Sequence, residues 1–82
     1  MEEDLVRFAS NEIINYVNAQ PESADTVEDI HQWWIQWPGT PEPVAITLAA
    51  LGQLERDGFM QMVPIANRNT WRRRREDSER EE

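Results

Sequence analysis

The chain of 82 residues contains no cysteine. Neither a disulfide framework nor a thiolate metal site can therefore compensate for a small core, and nothing points to an oxidising compartment. Lysine is missing too, since all eight basic residues are arginine. No apolar run approaches the roughly 20 residues that a membrane span requires, and the acidic N-terminus, MEED, does not read as a signal peptide. The expectation is a cytoplasmic protein. Three glycines, Gly39, Gly52 and Gly58, are too few and too scattered for a phosphate-cradling loop. A single histidine, His31, confines imidazole chemistry to one place.

What is present is acidic and tryptophan-rich. The formal net charge is −8, and the chain holds four tryptophans, three of them within Ala24 to Trp37. Residues 1–71 carry eleven acids against Arg7, Arg56 and Arg68, a net charge of −8, whereas residues 72–82 carry five arginines and five acids. The division predicts one domain over 1–71 and a charged, flexible tail over 72–82. A chain of this length buries only about 60 to 65% of its unfolded surface. An acidic globule also repels nucleic-acid phosphates at long range.

Hydrophobic spacing predicts three helices. In the first, from about Glu3 to Ala19, Val6, Ala9, Ile13, Tyr16 and Val17 share a face, Glu2, Glu3 and Asp4 suit the positive end of the helix dipole, and Pro21 stops the run. Phe8 falls away from that stripe. After the polar connection QPESA comes ADTVEDIHQWWIQW, where Asp25 or Thr26 can cap a helix whose Val27, Ile30, Trp34 and Trp37 line one face. Trp33 and Ile35 then fall at its edges, and WPGTPEP makes a rigid turn. The third helix is expected from Thr40–Glu42 to Asp57, with Gly58 as a left-handed stop. Its buried stripe reads as Val44, Thr47, Leu48, Leu51 and Leu54, leaving Ala45, Ile46, Ala49, Gln53 and Arg56 on a flat outer face. Beyond Gly58 the period changes to two. Phe59 to Ala66 alternates as a strand, Asn67-Arg68-Asn69 offers a turn, and Thr70-Trp71-Arg72 returns.

The fold class is therefore mainly α with a small β-hairpin, an α+β arrangement of three helices followed by a two-stranded wing. That order is the order of a winged helix-turn-helix. The segments Ile13-Ile14-Asn15-Tyr16-Val17, Gln20 to Ile30 and Trp33-Trp34-Ile35 resemble small bacterial winged-helix-like proteins with a pattern of the type YL, HPDAADTLEGI, WWL. The likeness continues loosely through Leu48, Leu51, Leu54, Gly58 and Phe59, over residues 12–60. Gln20 stands where the pattern has histidine, and Asp29 where it has glycine. The resemblance implies a fold and no defined activity.

No catalytic constellation emerges. Glu28 and His31 form one Glu-x-x-His pair, but carboxylate-bridged metal sites need that motif at least twice, with further inward carboxylates. Ser10, Ser23 and Ser78 have no evident base, and Asp25 with Glu28 reads as helix capping. Neither a cofactor, a metal nor an enzymatic activity is expected. The expected function is a non-enzymatic protein-interaction or accessory module, binding a protein partner or forming a homodimer. Phe8, Trp33, Ile35, Ala45, Ile46 and Ala49 are its candidate contacts. The alternative is a small DNA-binding transcriptional regulator using Gln53 and Arg56 of the third helix with Arg68, Arg72, Arg73, Arg74 and Arg75 of the wing and the run after it. That run can also neutralise itself, because Arg72, Arg73 and Arg75 stand four residues before Glu76, Asp77 and Glu79.

Overall fold

The computed structural model describes residues 3–74. They form three helices and one three-stranded antiparallel sheet. The terminal residues, among them Glu2, Arg75 and the acids paired with the arginine run, lie outside the described residues.

Helix α1 (Glu3–Ala19) has the expected bounds, and Val6, Ala9, Ile13 and Val17 are its buried residues. Steps of three and four keep these side chains on one face. Gln20 N–H donates to Tyr16 C=O at 2.8 Å before the chain turns at Pro21.

The tryptophan-rich stretch is not one long helix. Its first residues form a strand, β1 (Ala24–Thr26). Thr26 is extended (φ −73°, ψ 166°), and its Oγ1 accepts from Asp29 N–H at 3.4 Å. The hydroxyl thus caps a short helix, α2 (Val27–Asp29), which runs into a π-helical turn over Ile30–Trp34. Ile35 leaves the helix with φ −103° and ψ 126°. Thr26 supplies the expected cap and Val27 begins the helix, while the residues up to the cap pair in the sheet; the expected helix loses residues at its end, to an extended connection.

Helix α3 (Val44–Arg56) follows Pro43, and the expected Thr40 cap is not used. Glycine matters at its end, where Gly58 adopts φ 82°, a conformation a side chain would strain. The hairpin consists of β2 (Met60–Ile65) and β3 (Arg68–Arg73). The turn is tighter than expected: Ile65 pairs with Arg68, so only Ala66 and Asn67 remain in the loop, with φ 50° and 70°. Two successive positive φ values match the twist of a hairpin. Arg72 and Arg73 therefore belong to the sheet rather than to a tail.

The strand order is β1-β3-β2, with Ala24, Asp25 and Thr26 opposite Arg72, Trp71 and Thr70. The expected two-stranded wing is thus part of a three-stranded sheet. Its extra member was hidden because three polar or small residues show no period of two. The core joins Ile13 and Val17 of α1, Ile30 and Trp34 of the π-turn, Leu51 of α3, and Met60 and Trp71 of the sheet.

Burial on α3 departs from the expected stripe. Ile46, Thr47, Ala50, Leu51 and Leu54 are buried, while Val44 is 43% and Leu48 49% exposed. The helix is turned by roughly 60° from the expected orientation, taking 100° per residue. Apolar residues occur nearly all round it, so spacing alone did not single out a face.

Candidate functional site

The orientation of α3 leaves a concavity between it and α1. Glu3, Val6, Arg7 and Ser10 of α1 face Ala45, Leu48, Ala49, Gly52, Gln53 and Arg56 of α3 across an open groove of about 870 Å³. The spacings on α1 are three, one and three; on α3 they are three, one, three, one and three. Each set is a stripe down one helix side. Small side chains leave room between the helices, and Gly52 belongs to that set. An added Cβ there would approach nothing closer than Arg56 Nη1 at 3.8 Å. Leu48 projects at one side of the groove. Its charges have both signs, with Glu3 against Arg7 and Arg56. Arg7 also lies 3.6 Å from Asp4 in an exposed pair, which is worth little in water. Ser10 Oγ is withdrawn from solvent without a hydrogen-bond partner.

A second group of side chains fixes the tryptophans. Trp34 stacks on Tyr16 with ring centroids 4.4 Å apart and an interplanar angle of 12°. Its Nε1–H donates to Asp25 Oδ2 at 2.9 Å. Asp25 is thereby an anchor between sheet and helix rather than a helix cap. Trp37 donates from Nε1 to His31 C=O at 2.9 Å, and its ring packs against Phe8 and His31, with centroids 5.7 and 5.1 Å away. His31 Nδ1 lies 2.7 Å from Thr47 Oγ1, and Thr47 is fully buried. The imidazole is thus a polar strut between the π-turn and α3. Gln36 N–H donates to Glu12 Oε1 at 3.0 Å, tying the following connection to α1. Among the described residues no three His, Cys, Asp or Glu side chains gather as metal ligands.

The expected contact residues therefore separate. Trp33 is 65% exposed, and Ala45 and Ala49 line the groove. Phe8 is half-buried against Trp37. Ile35 and Ile46 are buried, at 3% and 5%, and offer nothing to a partner. Ile35 turns inward because the chain becomes extended there, and Ile46 because of the rotation of α3. Glu3, Val6, Arg7, Ser10, Leu48 and Gly52, which also line the groove, were not among the expected contact residues. The stripe spacing on α1 and the small residues Ser10, Ala45, Ala49 and Gly52 are the signals that point to them.

The expected nucleic-acid residues also fall in different places. Gln53 and Arg56 line the groove toward α1. Arg68 is exposed at the hairpin turn. Arg72 is half-buried, with Nε unbonded. Arg73 places its guanidinium carbon 5.3 Å from the Phe59 ring centroid. Arg74 N–H donates to Phe59 C=O at 2.9 Å, extending the ladder by one residue. Arg75 lies outside the described residues.

The described residues contain no helix long and apolar enough to cross a membrane. No protein-family model matches this chain, and neither a curated protein nor a solved structure matches it.

Proposed function

We propose that this chain is a bacterial cytoplasmic, winged-helix-like accessory module that acts by binding protein, without catalysis. The helical order, with a β2–β3 hairpin paired to a strand ahead of α2, supports the winged-helix reading. The observation that carries the function is the exposed Leu48 beside a groove of Ala45, Ala49 and Gly52. Knob and recess on one patch suit an isologous contact, in which each copy lends the same surface to the other. The occupant is a helix, with a second copy of this chain as the simplest case. Sedimentation over a range of concentrations tests this: Leu48→Asp is expected to shift the protein toward monomer and release any co-purifying chain. A wild-type protein that remains monomeric at every concentration and co-purifies with nothing overturns the proposal.

The second reading, a DNA-binding regulator, is favoured by the arginines of the hairpin. Against it, the exposed residues of α3 include Val44, Leu48 and Glu55 and offer only Gln53 and Arg56 as polar donors for a groove-reading helix. Titration with duplex DNA at two salt concentrations decides it. A steep salt dependence removed by Arg68→Ala would support it, and no binding at low salt would eliminate it.

A further inference from the structure

Charge is segregated along the chain between the helical part with β1 and the C-terminal hairpin. Residues 3–57 hold ten acids and two arginines, a net charge of −8; residues 58–74 hold four arginines and no acid, a net charge of +4. Strand alternation sorts the arginines further. Opposed residues in an antiparallel pair share a face. Met60 and Trp71 are buried, so the face carrying Met60, Met62, Trp71 and Arg73 packs toward the core. The opposite face carries Arg68, Thr70 and Arg72 of β3, beside Ile65, Val63 and Gln61 of β2, with Ala24 and the buried Thr26 of β1 at its far edge. No acid stands on it in any of the three strands.

Three features give this surface a direction. Arg68 and Arg72 are separated by about 14 Å along β3 at 3.4 Å per residue, and alternate residues of any extended chain repeat about every 7 Å. Arg72 Nε is buried and unbonded, so the arginine holds hydrogen-bonding capacity the fold does not use. Ile65, 54% exposed, and Val63 add apolar surface beside the cations.

We propose that this face binds an extended acidic peptide segment of another protein, with carboxylates four residues apart meeting Arg72 and Arg68 and an apolar side chain midway between them, on the same side of the peptide, covering Val63. It is separate from the α1–α3 groove and does not rest on the function proposed for it. Two other occupants fit less well. Single-stranded nucleic acid binds through aromatic stacking as well as charge, and the only aromatic residue in the strands, Trp71, lies on the other face. A second copy adding edge to edge meets Pro64 in the edge strand β2, which supplies no N–H to a new ladder.

The test uses the full chain and a fluorescent synthetic peptide repeating Glu-Ser-Val-Ser, which puts glutamate and valine on one side of the extended chain with glutamates about 14 Å apart, read by anisotropy. Saturable binding that weakens with salt is expected, with no binding of the matching peptide that carries glutamine in place of glutamate. Arg68→Glu combined with Arg72→Glu is expected to weaken binding about tenfold, the sum of two lost ion pairs and the new repulsion. Arg68→Glu alone, at an exposed position, weakens it in the same direction and guards against a folding defect at Arg72. Equal affinity for both peptides, an affinity unaffected by Arg68→Glu, or tighter binding of a single-stranded oligonucleotide of equal charge overturns the proposal.

Discussion

Two leucines three residues apart on α3 provide the most direct test of how this helix sits. Leu51 is fully buried, whereas Leu48 is 49% exposed. Truncating a buried leucine to alanine costs about 2 to 5 kcal/mol, because a cavity is added to the lost transfer energy. A domain of this size has a total stability of about 4 to 12 kcal/mol, so Leu51→Ala leaves it marginal. Full burial of a leucine contributes about 1.5 to 3 kcal/mol. Leu48 realises half of that, and alanine retains part of it, so Leu48→Ala should cost less than about 1 kcal/mol. With a urea slope of about 1 kcal/mol per molar for a small domain, Leu51→Ala lowers the midpoint by about 2 M or more, and Leu48→Ala by less than about 1 M. The measurement is urea unfolding followed by tryptophan emission at two protein concentrations. Loss of association through Leu48 would appear as a midpoint that no longer depends on concentration. Equal losses for the two variants, at unchanged slope, would refute the orientation assigned to α3 and remove the groove with it.

Other perturbations probe the anchors. Asp25→Ala leaves Trp34 Nε1–H, on a residue only 2% exposed, without its acceptor; the expected cost is about 1 to 3 kcal/mol by thermal unfolding. Combining it with Trp34→Phe should cost less than the two changes summed, and strict additivity would mean the hydrogen bond carries nothing. Replacing Ala66-Asn67 by Asn-Gly suits the positive φ of both turn residues and is expected to raise stability by about 0.5 to 1 kcal/mol; a lower melting temperature would show the turn to be of another type. Trp33→Ala should remove the indole most open to acrylamide quenching, with unfolding unchanged within about 0.5 kcal/mol. An unchanged quenching profile would place that ring in a covered position.

Legibility in the sequence varied with the source of each element's stability. α1 was readable throughout, since its apolar stripe, acidic first turn and following proline agree. The hairpin was readable as period two up to its loop, where asparagine tolerates positive φ but alanine does not advertise it. β1 was not readable, because its conformation comes from pairing with residues about 45 positions further on. The groove was half legible. Ala45 and Ala49 were on the expected outer face, but the choice between two nearly equivalent apolar arcs depended on what the sheet and the π-turn leave open to α3. The link between Glu12 and Gln36 had no local signal at all.

The π-turn explains why the tryptophan pair divides as it does. Trp34 is held from two sides, by the stacked Tyr16 ring and by the Asp25 carboxylate, while Ile35 is drawn into the core by the extended backbone that follows. With Trp34 and Ile35 both directed inward, and His31 bonded to the buried Thr47 one turn earlier, Trp33 is left pointing out at 65% exposure. Its exposure is thus a consequence of fixed neighbours rather than of loose packing. The turn that produces it departs from regular α-helix, a feature that recurs at functional sites. An exposed indole on a rigid mount loses little conformational entropy on binding, which is why such residues dominate interface energetics. Under the function proposed above, Trp33 is the second contact expected for a protein partner, after Leu48 at the groove.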